Sequence, residues 1–214
     1  MNEMTTYRKS FYRPWTNDMK KYCMTQAMKI CKAPMATGKT YAIHAPEGIW
    51  ETIEKLEPTT RVHIIDTPRA DLKTDDSLVF GIVEYTIRAT VRGNNPIQIV
   101  SSLEELKTYT LSGIPNINFV FVATTQWLTR DIGNGRQNYN DVIDLCVDNN
   151  LKFSWISDEI HLMATSKKEY ITLNNGSPPT KLMKFKRYRM CKEVMKHTYH
   201  SYGITATLVW EQAE

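Results

Sequence analysis

The octet Ala33-Pro34-Met35-Ala36-Thr37-Gly38-Lys39-Thr40 carries the residue types that hold a phosphate chain. A polyphosphate needs donors on a surface that can approach it closely. A loop running from a strand into a helix N-terminus offers backbone N–H groups and the positive end of the helix dipole. Gly38 keeps side-chain bulk away from the approach, Lys39 reaches the β- and γ-phosphates, and the Thr40 hydroxyl holds Mg²⁺. Ala36 stands where many such loops have a further glycine; if φ is positive there, its methyl group costs roughly 1 kcal/mol.

Ser157-Asp158-Glu159-Ile160-His161 supplies the matching acids. Asp158 would bind the metal, through water, and Glu159 would be the general base for the water that attacks the γ-phosphate. Either segment also occurs in proteins without such chemistry, as a surface turn or as a solvated pair at a strand end. Found in one chain, they point to a nucleotide and Mg²⁺, with Lys39, Asp158 and Glu159 as the catalytic set. His161, three residues after Asp158, reads as a structural residue or a hydrogen-bonding link. His197 and His200 have helical spacing but no Cys or carboxylate completes a zinc site beside them.

Apolar runs of strand length must position these groups. Met28 to Ala33 is the strand leading into the octet. Thr40 to Leu56 follows as helix, interrupted by Pro46 and Gly48. Arg61 to Thr67 is a second strand, Leu78 to Val91 a helix, and Ile97 to Ser101 a short strand. Ser102 caps the next helix, with Glu104 and Glu105 in its first turn. Asn118 to Thr124 is the most apolar strand, Asp131 to Asn140 a turn-rich loop, and Asp141 to Asp148 a helix. Lys152 to Ser157 brings the acidic pair to its carboxyl end, a helix spans Lys181 to His200, and Tyr202 to Val209 is a last strand. This alternation predicts an α/β fold, a mostly parallel sheet with helices on both faces.

At 214 residues the chain fits one such domain, over 1–214. The net charge of +4 permits a polyanionic partner without demanding one. Cys23, Cys31, Cys146 and Cys191 form neither a CxxC motif nor a paired framework, as in reduced intracellular proteins. No stretch approaches the ~20 apolar residues of a membrane span, and Met1 to Arg13 lacks a signal peptide's apolar run. The expectation is a cytoplasmic protein with no membrane association.

The order of segments resembles a family. The octet and Asp158-Glu159-Ile160-His161 are similar to motifs I and II of superfamily 2 DExH-type helicases and translocases. Thr67-Pro68-Arg69-Ala70-Asp71-Leu72 resembles motif Ia, Thr124-Thr125-Gln126-Trp127-Leu128 the Thr-containing motif, and Gly203-Ile204-Thr205-Ala206-Thr207 motif III. The resemblance spans Arg13 to Thr207 and is closest to type III restriction helicase subunits. It implies a three-layer, RecA-like P-loop NTPase domain that hydrolyses ATP and couples it to DNA or RNA. It also implies that Arg69, Thr124 and Thr125 contact the polynucleotide backbone, and that His161, Thr205 and Thr207 couple nucleotide state to strand movement.

Tyr12-Arg13-Pro14-Trp15-Thr16 resembles the family's L-R-P-W/Y-Q segment, which places Arg13 beside the nucleotide. Thr16 replaces the glutamine that reads adenine. The second RecA-like domain, which supplies an arginine finger worth about 10³–10⁵ in turnover in related systems, is absent from the chain and is expected in cis or in trans. The alternative is a catalytically incomplete P-loop module that binds nucleotide or a partner without turnover.

Lys181 to His200 carries Lys181, Lys184, Lys186, Arg187, Arg189, Lys192 and Lys196 against a single Glu193. Leu182, Phe185, Tyr188, Cys191, Met195 and Tyr199 follow in steps of three and four, the pattern of a core-facing stripe. The basic face is then either solvated exterior or a phosphate-contacting surface.

Overall fold

A parallel sheet is the centre of the molecule. The computed structural model describes residues 29–32, 40–113, 116–159, 183–198 and 200–205. The strands are β1 (Lys29–Lys32), β2 (Thr60–Thr67), β3 (Ile97–Val100), β4 (Asn118–Thr124), β7 (Lys152–Ser157) and β8 (Ser201–Thr205). They form a six-stranded sheet in the order β1-β8-β7-β2-β4-β3, with every pairing parallel. The helices are α1 (Tyr41–His44), α2 (Ile49–Leu56), α3 (Asp76–Val91), α4 (Leu103–Leu111), α5 (Thr125–Leu128), α6 (Asn138–Asp148) and α7 (Met183–Val194).

Successive residues of a strand point to opposite faces, and this alternation builds two cores. Val62, Ile64, Phe119, Phe121, Phe153 and Trp155 pack with α4 to α7 on one face. Ile65, Val120, Val122, Ile156, Tyr202 and Ile204 pack with α1, α2 and α3 on the other. The protein is therefore α/β in three layers, as the alternation of segments predicts.

Local chemistry sets the helix starts. The Asp75 side chain accepts from the Ser77 N–H, and the Ser102 hydroxyl from the Glu105 N–H. The Thr124 hydroxyl accepts from the Trp127 N–H, and Gln137 and Asn140 cap α6 reciprocally.

The expected helix from Thr40 to Leu56 is two helices, because the chain turns sharply between Ala45 and Gly48. A Cβ on Gly48 would lie 2.6 Å from the Ala42 carbonyl oxygen, so only glycine fits. The expected loop after Asp131 contains a small hairpin, β5 (Asp131–Gly133) with β6 (Arg136–Gln137), and α6 begins at Asn138.

The basic helix departs most from expectation. Among the side chains of α7 that the structure describes, Arg187, Met190, Cys191 and Val194 are buried. Of the predicted stripe Cys191 is thus inside and Tyr188 half exposed, while the side chains of Leu182, Phe185 and Tyr199 lie outside the described residues. Arg187, placed by its type on the solvated basic face, is 2% exposed. Burial pushes the Cys146 and Cys191 thiols up to about 12, and both are free. Among the described residues, no helix is long and apolar enough to cross a membrane, and no group of three or more His, Cys, Asp or Glu could hold a metal ion.

Two imidazoles lie inside the α1–α3 layer. His44 sits against Gly81 of α3 so closely that a Cβ there would meet its ring at 2.1 Å. Burial, with help from Arg88, lowers His44 from 6.5 to about 4. His63 packs on Trp50, and its Nδ1 lies 2.8 Å from Ser154 Oγ. Burial, and then His200, lowers His63 from 6.5 to about 3.

Both rings are neutral in the fold and become protonated on unfolding once the pH is below 6.5. The unfolded chain then binds more protons, so stability falls as pH drops from 6.5 toward 4 and 3. Urea unfolding should show a loss of about 3 kcal/mol between pH ~6.5 and ~5. Equal midpoints at the two pH values would mean that the rings are not held neutral.

Candidate functional site

All strands of a parallel sheet end on one edge, and ligands of open α/β sheets bind outside the carboxyl ends. On this edge β1 ends at Lys32, level with Thr205 of β8, and β7 ends at Ser157, level with Gly203. One strand therefore separates β1 from the acidic turn, a gap of two strand spacings or roughly 10 Å.

Thr40 is half-buried at the start of α1. Arg13, Ala33, Pro34, Met35, Ala36, Thr37, Gly38, Lys39, His161 and Thr207 lie outside the described residues. Thr205 is described by its backbone alone, as the last residue of β8.

Asp158 and Glu159 form the turn that leaves β7, and both are half-buried. The Asp158 N–H donates to the Asp66 carbonyl oxygen at 2.7 Å, continuing the β2–β7 pairing past its last strand residue. The Thr67 hydroxyl donates to Asp158 Oδ2 at 3.1 Å and accepts from the Arg69 N–H at 3.1 Å. The segment after β2 is thus joined to the acidic turn through one hydroxyl. Glu159 has φ +49°, the left-handed region, which costs a non-glycine residue on the order of 1 kcal/mol.

Beneath the turn lie two residues that the sequence reading did not place in the site. Asp66 of β2 is fully buried and pairs with Arg187 of α7, Oδ2 to Nε 2.9 Å. Arg187 also donates from Nη1 to the Glu159 carbonyl oxygen at 3.0 Å, and from Nη2 to the Asp158 carbonyl oxygen. The Thr125 hydroxyl donates to Asp66 Oδ1. A signal did exist for each. Asp66 is an acid that directly follows the apolar pair Ile64-Ile65 within a strand, and Arg187 keeps helical step with Met190, Cys191 and Val194.

The residues expected to meet a polynucleotide fall into two kinds. Thr125 is 4% exposed with its hydroxyl engaged by Asp66, so that side chain serves the core of the site. Thr124 and Arg69 line a cavity of about 260 Å³ with Ser101, Ser102, Phe121 and Trp127, beyond the ends of β2, β3 and β4. The Arg69 guanidinium is bridged to Asp71 at 3.3 Å and to Asp75 at 2.7 Å. Their hydrogen bonds raise its already high pKa. An incoming phosphate would compete with both carboxylates.

Lys186 of α7 pairs with Asp131, and in the turn after the helix Lys196 pairs with Glu193, which His197 also faces, at 3.5 Å. Two cations of this helix, Lys186 and Arg187, thus have acidic partners within the chain.

No family model matches the chain, and no curated protein does either. Among solved structures it is similar to a de novo designed protein of P-loop NTPase fold, determined in solution by NMR. The two share 14% identity over 72% of this chain and 84% of that one, with a TM-score of 0.29. So loose a superposition adds nothing to what the chain's own strands and side chains say.

Thr67 is the joint between the two segments, so its hydroxyl has a measurable share in holding them. Thr67→Val keeps the shape, removes a donor from Asp158 and leaves the Arg69 N–H without its acceptor. Urea unfolding should report a loss of about 1–2 kcal/mol. A change within error would mean that the hydroxyl carries no net interaction.

Proposed function

We propose that the chain is the ATP-binding motor domain of a nucleic-acid helicase or translocase of the superfamily 2 DExH type, cytoplasmic and partnered by DNA or RNA. The observation that carries this reading is that β1, which precedes the octet in sequence, and β7, which ends at the acidic pair, run parallel toward one sheet edge. A single strand stands between them. Roughly 10 Å, two strand spacings, is room for phosphate groups and a hydrated metal.

The donor set suits Mg²⁺, which takes hard oxygen ligands and keeps several waters. Thr40 and Asp158 would hold it, and bound Mg·ATP would supply an electrophilic γ-phosphorus. Lys39 and the backbone of residues 33–39 would bind the phosphates, with Arg13 on the nucleotide side. Glu159 would take the proton of the attacking water. The link from Arg69 through Thr67 to Asp158 supports coupling, because a polynucleotide at Arg69 and Thr124 would sit two hydrogen bonds from the metal carboxylate. Thr205, Thr207 and His161 would complete that coupling. Turnover would rise when a second RecA-like domain supplies an arginine finger.

The second reading is a P-loop module that binds nucleotide without turnover. Ala36 in the loop and the carboxylates that hold Arg69 favour it.

Two experiments separate the readings. Glu159→Gln should lower polynucleotide-stimulated ATP hydrolysis by about 10²-fold or more while Mg·ATP binding persists, and Lys39→Ala should abolish that binding. A wild type that binds Mg·ATP but shows no hydrolysis sensitive to Glu159 favours the non-catalytic module.

In the second experiment, Asp71→Asn frees part of the Arg69 guanidinium. It should raise affinity for a mixed DNA or RNA oligonucleotide by up to about fivefold, in an anisotropy titration at fixed salt. The same substitution on an Arg69→Ala background should give a smaller rise. Equal rises would assign the effect to net charge alone and remove Arg69 from the contact surface.

A further inference from the structure

We propose that Arg187 is a positioning residue for the Asp158–Glu159 turn, and that buried Asp66 is its charge partner for that task. The inference rests on reading Asp158 and Glu159 as the metal and water carboxylates.

An arginine 2% exposed and an aspartate 0% exposed meet between β2 and α7. A buried ion pair is seldom more stable than apolar residues of the same volume. Filling the core therefore does not explain this pair, whereas the donors that Arg187 brings to the turn do. Its Nε is used by Asp66 at 2.9 Å, its Nη1 by the Glu159 carbonyl oxygen at 3.0 Å, and its Nη2 by the Asp158 carbonyl oxygen. A planar guanidinium spans a carboxylate and two carbonyls at once; the compact ammonium of lysine does not.

The turn needs such a hold. Glu159 is in the left-handed region at φ +49°, a conformation that a non-glycine residue keeps only where its surroundings impose it. The Asp158 N–H is held from the other side, by the Asp66 carbonyl oxygen at 2.7 Å. Residue 66 thus grips the turn twice, once with its backbone and once through Arg187. Since Thr125 donates to the same carboxylate, the starts of α5 and the middle of α7 meet at one buried charge.

The test uses the full chain as wild type, as Arg187→Lys and as the double variant Asp66→Asn/Arg187→Met. The double variant removes both charges together, so no buried ion is left alone. Hydrogen exchange is followed at the Asp158 amide, with amides inside β2 and β4 as internal reference. Mg·ATP hydrolysis is measured in parallel.

The expected result is exchange at Asp158 faster by about tenfold or more, the equivalent of one lost hydrogen bond to a charged group, with the β4 amides unchanged. Where wild type hydrolyses ATP, kcat falls by about tenfold or more and KM for Mg·ATP changes by less than about threefold. Unchanged exchange at Asp158, or a rise by the same factor throughout the sheet, overturns the proposal and leaves Arg187 as a core residue. If the double variant does not fold, Arg187→Lys decides by the same exchange criterion, because it keeps the charge and loses the fork. Should wild type show no hydrolysis that Glu159→Gln abolishes, the hydrolase reading fails on its own, and the exchange result still decides whether Arg187 holds the turn.

Discussion

The contact between Asp66 and Arg187 joins the sheet, the helix that covers it and the acidic turn at one point. A carboxylate and a guanidinium removed from water lose several kcal/mol of hydration each, and recover it only if their remaining hydrogen-bonding groups are also met. Here they are met densely. Asp66 takes Nε of Arg187 and the Thr125 hydroxyl, and Arg187 places its other nitrogens on the carbonyls of Asp158 and Glu159. The charge that is expensive to bury is thereby spread over β2, α5, α7 and the turn after β7. None of these can shift without exposing a polar group, which is why the left-handed Glu159 can be held in place.

The opposite face of the sheet is tied differently. Glu51 and Glu54 of α2 face Arg88 and Arg92 across to α3, and the Tyr85 hydroxyl donates to Glu54 at 2.6 Å. Burial would raise Glu51, but the Glu47 N–H and the two arginines outweigh it and hold its pKa below the usual carboxylate range. These partners keep some access to water and join two helices to each other, so they bear on the packing of that layer. The turn that leaves β7 at the carboxyl edge is held by the fully buried pair. The two layers therefore divide the work, one holding the helices together and the other holding the turn.

Strands were legible because the sheet is buried on both faces, which makes each a short apolar run bounded by breakers. Asn118–Thr124 and Lys152–Ser157 have the limits expected of them, and Ser102 caps the helix that it precedes. The helix from Lys181 was harder. Of its predicted stripe Cys191 is buried but Tyr188 is half exposed, and Arg187 beside it is buried. Periodicity locates a helix but leaves its rotation to the neighbours. A sequence rule that puts arginine in water holds unless an acid waits inside, and Asp66 lies far from Arg187 along the chain. The Thr125 side chain turns inward for a related reason. It adjoins Thr124 in sequence, but the start of α5 turns the two hydroxyls apart, one into the cap of that helix and the other onto Asp66.

The sequence by itself determined the α/β class, the strands, and the residue types of the octet and the acidic pair, because these depend on local patterns of polarity and on side-chain chemistry. Only the tertiary structure decided which strands are neighbours, and so that a single strand stands between β1 and the acidic turn. It alone brought Thr67 to Asp158, aimed Arg187 inward at Asp66 and closed Asp71 and Asp75 on Arg69. Those relations depend on burial and on partners distant in the chain. A residue's type states what it can bind; the fold decides what lies within its reach.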